Sequence, residues 1–415
     1  LDAEVVASVQ QIEQFLGTKN VKIVFQNISG VIGYLYYIDV AAATGGTPAI
    51  VPMDNTHGAI LPMISPDGNH VIYGKGPGGD LTPSQEVKSN AYICAIEQTA
   101  QPALVKTDFA HEPRFTFSDE ITVIYSTLGS WAAWNGIGQV MAMKAPGGIP
   151  NGTETPLVSS GSYYGGLSKG GGYICSGGDK AVILDIQSGE AEADTALKYG
   201  LKERNNPAAQ YSFAPRQACN PSISSSTVRP DAMLCLDFGS YMEINGQTKL
   251  GINDSINGGT PWDIHDILMI CGIEGRVLKH YVKPSAEEAG LETAEQNYSS
   301  HSWDDPEWSN HPYYAIANLE VERYYLNPAT QLYDAEERHE KIYLVNLKDS
   351  TYLELVRSTN VVQGSSTNLQ WPFLWIETPA SFEEDSGFLN PTINTIMPIG
   401  NRSHPANGIS LNAGR

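Results

Sequence analysis

Long apolar runs are missing from this 415-residue chain. No stretch approaches the 18 or more apolar residues that a membrane-crossing helix needs, and the longest uncharged segments are broken by Gly, Pro and Asn. No transmembrane segment is expected. Positive charge is also scarce, with 25 Lys and Arg against 46 Asp and Glu, for a net charge of −21. A surface of that sign repels phosphate backbones and anionic lipid, so nucleic acid is excluded as a main partner. The five cysteines (Cys94, Cys175, Cys219, Cys235, Cys271) are too sparse for a disulfide scaffold and contain no CxxC pair. Most sit in apolar strand-like runs, where a buried, inert thiol is expected; Cys219 and Cys235 are the pair placed to bridge. Charged residues reach only 17%, whereas Gly (40) and Pro (25) are plentiful. That balance excludes a helical bundle and describes a turn-dense globular protein. The chain opens on Leu1-Asp2-Ala3-Glu4 rather than Met, from which removal of a leader and an extracellular or periplasmic location are expected.

What is present is a repeat. Five segments read Pro, any residue, a large apolar residue, then a small or aromatic one: Pro62-Met63-Ile64-Ser65, Pro113-Arg114-Phe115-Thr116, Pro221-Ser222-Ile223-Ser224, Pro306-Glu307-Trp308-Ser309 and Pro372-Phe373-Leu374-Trp375. Gly165-Gly166-Leu167-Ser168 is a sixth with Gly in place of Pro. Positions 62, 113, 165, 221, 306 and 372 lie 51, 52, 56, 85 and 66 apart, a period near fifty with later insertions, which is the size of a propeller blade. After each motif come a polar turn and further β-rich runs, such as Val71-Ile72-Tyr73, Ala91 to Ile96 and Ala103-Leu104-Val105. Four short strands make one blade. Near the N-terminus, Val21 to Gln26, Tyr34 to Val40 and Ala49 to Pro52 match second, third and fourth strands without a first, while Leu369 to Trp375 is a first strand without the rest. Joining the two ends completes a ring and leaves no open sheet edge.

The expected fold is therefore all-β: a six-bladed β-propeller over residues 18–377, closed by its N- and C-terminal segments. Residues 1–17 form a short amphipathic helix, since Val5, Val9, Ile12 and Leu16 share one helical face and Gly17 stops it. Packing on the propeller itself is expected for that helix, with docking on a second copy of the chain as the alternative. Residues 378–415, rich in Gly, Asn, Ser and Pro, form an irregular extension.

Ser65-Pro66-Asp67-Gly68 followed by Val71-Ile72-Tyr73 resembles the repeat of TolB-like propellers, also called PD40 or WD40-like repeats. The other units carry degenerate versions, such as Ser168-Lys169-Gly170-Gly171 and Ser309-Asn310-His311-Pro312. The resemblance implies a six-bladed, exported, non-enzymatic protein that binds a ligand or protein partner.

The loops that lead into the innermost strands converge at the mouth of such a channel, and aligning the units nominates residues there. Tyr163, Tyr164, Trp303 and Trp371 are candidate platforms for a carbohydrate or other polar ligand, with Arg216, Asn220, Asp304 and Asp305 as hydrogen-bonding partners. His57, His111, Glu112, His301 and Gln370 are candidate ligands for a divalent ion, Ca²⁺, Mn²⁺, Zn²⁺ or Cu²⁺. No HExxH, DxDxDG or His-x-His spacing accompanies them. Among propellers with this repeat, oligogalacturonate lyases hold a metal through His and Gln at the mouth. That likeness implies His57, His111, His301 and Gln370 in the same role, and a metal-assisted lyase or hydrolase as the enzymatic alternative. A self-assembling structural protein, built through the N-terminal helix or the tail, is the third class considered.

Overall fold

A computed structural model describes residues 1–29, 32–75, 89–107, 110–116, 122–127, 138–145, 152–161, 164–176, 182–186, 218–237, 243–244, 247–248, 265–273, 276–291, 298–327, 329–364, 367–379 and 381–389. Within the sheets neighbouring strands follow one another along the chain, except where the two chain ends join in, and the described pairings are antiparallel. One sheet contains Ala59–Ile64, His70–Lys75, Asn90–Ala95 and Ala103–Lys106; the next contains His111–Phe115, Thr122–Ser126, Gly138–Lys144 and Glu154–Gly161. Tyr164–Leu167, Tyr173–Ser176 and Val182–Asp185 follow, then Ala218–Ile223, Ala232–Asp237, Ile267–Gly272 and Arg276–Val282. The last consecutive sheet pairs Tyr298–Trp308, Tyr314–Leu326, Tyr333–Asn346 and Thr351–Ser358.

Besides a two-stranded pairing of Glu243–Ile244 with Gln247–Thr248, one further sheet is built from both ends of the chain. Leu369–Ile376 pairs with Val21–Ser29 in the register Val21↔Ile376 to Asn27↔Leu369, and Ile32–Asp39 and Val51–Pro52 complete it. The first strands touch one another in a closed circuit, from Leu369–Ile376 through those beginning at Ala59, His111, Tyr164, Ala218 and Tyr298, then back again. The protein is a β-propeller with little helix. The expectation of six blades is corrected: among the described residues five sheets have four or five strands, and the unit beginning at Tyr164 has three. Its continuation, residues 187–217, lies outside them.

The recurring motif has a backbone cause. Leu61, Glu112, Asn220, Asp305 and Trp371, each immediately ahead of a motif Pro, all adopt left-handed φ values between 43° and 52°. Non-glycine residues enter that region only when their surroundings hold them there. Each coincides with a slip in the pairing of its first strand, as between Ile60 and Met63, Cys219 and Ser222, or Asp304 and Glu307. A bulge leaves an unpaired residue, and Pro at that point has no N–H to orphan. The bulge also re-aims the side chains just ahead of Pro, which is how the same feature recurs at the mouth of each blade. In the unit with Gly165 in place of Pro the chains approach more closely: a Cβ there would lie 1.8 Å from the Pro221 carbonyl oxygen.

At the other end of each first strand the motif serine closes the turn. Ser65 Oγ accepts from the His70 amide at 3.0 Å and Ser168 Oγ accepts from that of Tyr173 at 3.0 Å; Ser65, Ser168, Ser224 and Ser309 are all fully buried. Gly68 supplies φ +72° there, and Trp375 of the closing strand lies over it while donating to the Pro66 carbonyl at 2.8 Å.

The extended helix expected over residues 3 to 16 is shorter. Ala3–Val5 is instead an outer strand on Thr351–Ser358, and the α-helix spans Val9–Leu16. Its start is set by a capping box, with Gln11 N donating to Ser8 Oγ and Ser8 N donating to Gln11 Oε1. Ile12 and Leu16 are buried against Ile23, Ile38, Leu344 and Leu374, so this face is consumed within the chain. Of the irregular extension, residues 381–389 place Phe388 and Leu389 against Trp308 and Tyr313. Trp308 is fully buried there, its indole donating to the Pro312 carbonyl at 3.1 Å.

Candidate functional site

The mouth side of the last sheet meets the closing strand in a cluster of polar side chains that are largely removed from solvent. Asp304 and Asp305 sit at the bulge of Tyr298–Trp308, Asn318 and Glu320 on Tyr314–Leu326, and His339 on Tyr333–Asn346. Register brings them together: Asp304 faces Asn318, and Glu320 faces His339. The pairing slips after Leu319, so Glu340 is left out of the ladder and points away to Arg323. Without that bulge the strand alternation would place His339 and Glu320 on opposite faces.

The imidazole organises the cluster. His339 Nε2 lies 2.7 Å from Asp304 Oδ2 and 3.9 Å from Asp305 Oδ2, and Nδ1 lies 3.0 Å from Asn368 Oδ1. Asn368 Oδ1 also accepts from the His339 amide at 2.9 Å, and Gln370 Nε2 is 3.3 Å from His339 Nδ1. Asn220, from the neighbouring blade, donates to Asp304 Oδ1 at 2.9 Å. Asp305 Oδ2 accepts from Asn318 Nδ2 and from the Trp371 amide, each at 3.1 Å. Four blade segments far apart in sequence thus meet around two adjacent carboxyls.

Electrostatics divides those carboxyls. Burial, then the neighbouring Asp304 charge, pushes Asp305 up to about 8. Burial alone would raise Asp304 too, but the His339 hydrogen bond and charge hold it below the usual carboxylate range. Burial likewise raises Glu320, to about 7, with Asp304 adding to the rise. For His339 burial favours the neutral ring, yet Asp304, Glu320 and Asp305 together drive its value well upward. Three carboxyls therefore share one imidazole.

Below the cluster, Arg114 forms an ion pair with Glu307. Their strands, His111–Phe115 and Tyr298–Trp308, are not neighbours in the circuit of first strands. Glu307 Oε2 also accepts from Ser222 Oγ at 2.8 Å.

Of the residues nominated from sequence, Asn220, Asp304, Asp305, Gln370 and Trp371 are brought together here. Trp303 is not: it is fully buried, edge-on to Tyr343 at 5.6 Å and Tyr352 at 6.0 Å. Alternation along the strand sends it to the opposite face from Asp304, into the core. His301 is buried with Nδ1 2.7 Å from the Tyr298 hydroxyl and Nε2 2.7 Å from the Pro284 carbonyl, and it takes no part in the cluster. His57 packs edge-on against Tyr34 at 5.2 Å. Glu112 is buried at its own bulge in a different blade. For His111 and Tyr164 only the strand placement is described, and Tyr163 and Arg216 lie outside the described residues. Sequence alignment of the mouth loops missed Asn318, Glu320, His339 and Asn368, because the first three belong to second and third strands and Asn368 stands at a loop position that was not aligned. The available signal was the His339-Glu340-Lys341 run leading into the apolar strand Ile342 to Val345.

The cysteines bear on the proposed bridge. Cys235 is a fully buried thiol outside any disulfide, its Sγ 3.7 Å from that of Cys271, and the strand register sets Cys219 opposite Leu236. The expected Cys219–Cys235 bridge is corrected on the Cys235 side: that thiol takes part in no disulfide.

No protein-family model matches the sequence, and no curated protein matches it. Several solved structures are similar in fold. The nidogen/laminin complex matches with a TM-score of 0.42 at 8% identity, over 85% of this chain and 98% of that one. TolB from Agrobacterium tumefaciens matches with a TM-score of 0.37 at 12% identity, over 83% of this chain and 100% of that one. Prolyl oligopeptidase B from Galerina marginata matches with a TM-score of 0.37 at 11% identity, over 86% of this chain and 47% of that one. Among the described residues no helix is long and apolar enough to cross a membrane.

Proposed function

We propose that this protein is a non-enzymatic, exported binding propeller of the TolB-like kind that takes a hydroxyl-bearing ligand, a carbohydrate, at the channel mouth beside Asp304, Asp305 and Trp371. One observation carries the reading: Asn220, Asp304, Asp305, Asn318, His339 and Gln370, from three neighbouring blades, converge at one end of the axis. Sugar recognition asks for this combination, in which carboxylate and amide oxygens accept from ligand hydroxyls and an aromatic edge supplies the apolar contact. The net charge of −21 turns the choice away from polyanionic sugars and toward neutral or amine-bearing ones. Ser65-Pro66-Asp67-Gly68 supports the TolB-like assignment, and its turn is closed by the hydrogen bonds that this sequence allows. The blade beginning at Tyr164 is read as the remaining member of a six-bladed ring, on the strength of its place in the circuit of first strands.

Glycan-array screening of the full chain, followed by calorimetry with the best ligand, tests the reading. Binding that weakens at least about tenfold in Trp371→Ala and Asn220→Ala is expected, as for a partly desolvated aromatic contact and a lost polar partner. Binding unchanged by both substitutions, or absence of any glycan ligand, would remove carbohydrate recognition at this mouth.

A further inference from the structure

The cluster holds more acid than a sugar needs. Asp304, Asp305, Glu320, Glu322 and Glu337 act on it electrostatically, opposed by the imidazoles of His339 and His265. One ligand atom each from Asp304, Glu320 and His339 lie within 4.8 Å of one another, which is the spread of donors around a single ion. A second feature points to the same place. Asn318 is fully buried and lodged against Asp305 through its Nδ2, yet among the described residues its Oδ1 has no hydrogen-bond partner. A buried amide oxygen without a donor is costly unless something electropositive faces it.

The imidazole is also set for the task. A ligating histidine as a rule donates its second ring N–H to a fixed oxygen, which orients the ring and presents the other nitrogen. Here Asn368 Oδ1, held additionally by the His339 amide, stands 3.0 Å from Nδ1, while Nε2 faces the carboxyls. Asn220 anchors Asp304 through Oδ1, so that Oδ2 is the oxygen turned to His339.

We propose that Asp304, Glu320 and His339 bind a single divalent first-row transition ion, Mn²⁺ or Zn²⁺, at the channel mouth, with Asn318 Oδ1 beside it. Two carboxylate oxygens with one imidazole suit these ions better than Ca²⁺, which takes six to eight oxygens. The ion replaces the direct contact between His339 Nε2 and Asp304 Oδ2 and neutralises the acidic excess. This inference shares its location with the carbohydrate reading but not its ligand.

The full chain, freed of metal by chelator dialysis, is titrated with MnCl₂ and separately with ZnCl₂ by calorimetry. One equivalent is expected to bind at the site. His339→Gln and Glu320→Gln are expected to abolish or strongly weaken that binding, and Asn368→Ala to weaken it about tenfold to a hundredfold. Circular dichroism confirms that each variant is folded. Electron spin-echo spectroscopy of the Mn²⁺-loaded native chain should show coupling to one histidine nitrogen; its absence overturns the proposal whether or not any variant folds. Absence of stoichiometric binding, or binding unchanged in folded His339→Gln, also overturns it. A native chain that binds a glycan but no stoichiometric metal leaves the carbohydrate reading standing alone, and a native chain that binds one equivalent of metal but no glycan does the reverse.

Discussion

Replacing Arg323 by Met should destabilise the propeller by about 3–5 kcal/mol. Its Nε and Nη2 donate to the two carboxylate oxygens of Glu340, each at 2.6 Å, and the two side chains are only 2% and 5% exposed. Removing one partner leaves the other charge stranded in a medium that solvates it poorly. Removing both leaves an apolar gap that Met and Leu fill at comparable volume, and buried pairs replaced in this way are often neutral or more stable. The expectation is thus a strongly non-additive cycle, in which Arg323→Met and Glu340→Leu each cost several kcal/mol and the double variant recovers most of the loss. With an unfolding entropy of about 2.1 cal/mol/K per residue, a loss of about 4 kcal/mol over 415 residues shifts Tm by about 4–5 °C. Differential scanning calorimetry on the four proteins measures this directly. Additive single losses, or a double variant as unstable as their sum, would refute the argument that desolvated charge dominates. The pair matters to the mouth because Glu340 is the residue expelled by the bulge that turns His339 toward Glu320. A repacked double variant should therefore stay folded yet show altered ligand binding.

Three further outcomes are expected. Burial, with a contribution from Lys169, lowers His311 to about 4 from its ordinary 6.5. Between those values the unfolded chain holds a proton that the folded chain does not, so stability is full above about pH 6.5 and falls by up to about 3 kcal/mol as pH drops toward 4. Urea unfolding at pH 7 and 4.5 should show that part of the dependence vanish in His311→Gln. Cys94, Cys175, Cys235 and Cys271 are buried, and burial pushes the Cys94 thiol up to about 12; a thiol reagent at pH 8 should label none of the four before unfolding, and native labelling at Cys235 or Cys271, located by mass spectrometry, would contradict their placement. Gly68→Ala should cost about 1–3 kcal/mol, because φ is +72° and the new Cβ would meet the Trp375 ring at 2.6 Å. Thermal melts measure the loss, and the Trp375 emission should shift with it.

The amino-acid sequence by itself determined the repeat, its period and the closure of the ring. Those properties follow from local chemistry: a Pro that cannot sit in a paired position, a Ser that caps the next strand, and a first strand at 369–376 that needs partners found only at 21–52. It also nominated Asn220, Asp304, Asp305, Gln370 and Trp371 together, and the fold brings these five into one cluster, since equivalent positions in repeats occupy equivalent places. Tertiary structure alone decided which neighbours they would have. Trp303 and His301 share the strand of Asp304 and were nominated beside it, but alternation turns Trp303 into the core, and His301 is spent on Tyr298 and the Pro284 carbonyl. Glu320 and His339, which no motif singles out, are set face to face by a one-residue slip in pairing. Register between strands is settled by packing over the whole sheet, and a single-residue slip exchanges the two faces, so a pattern read one segment at a time does not contain it.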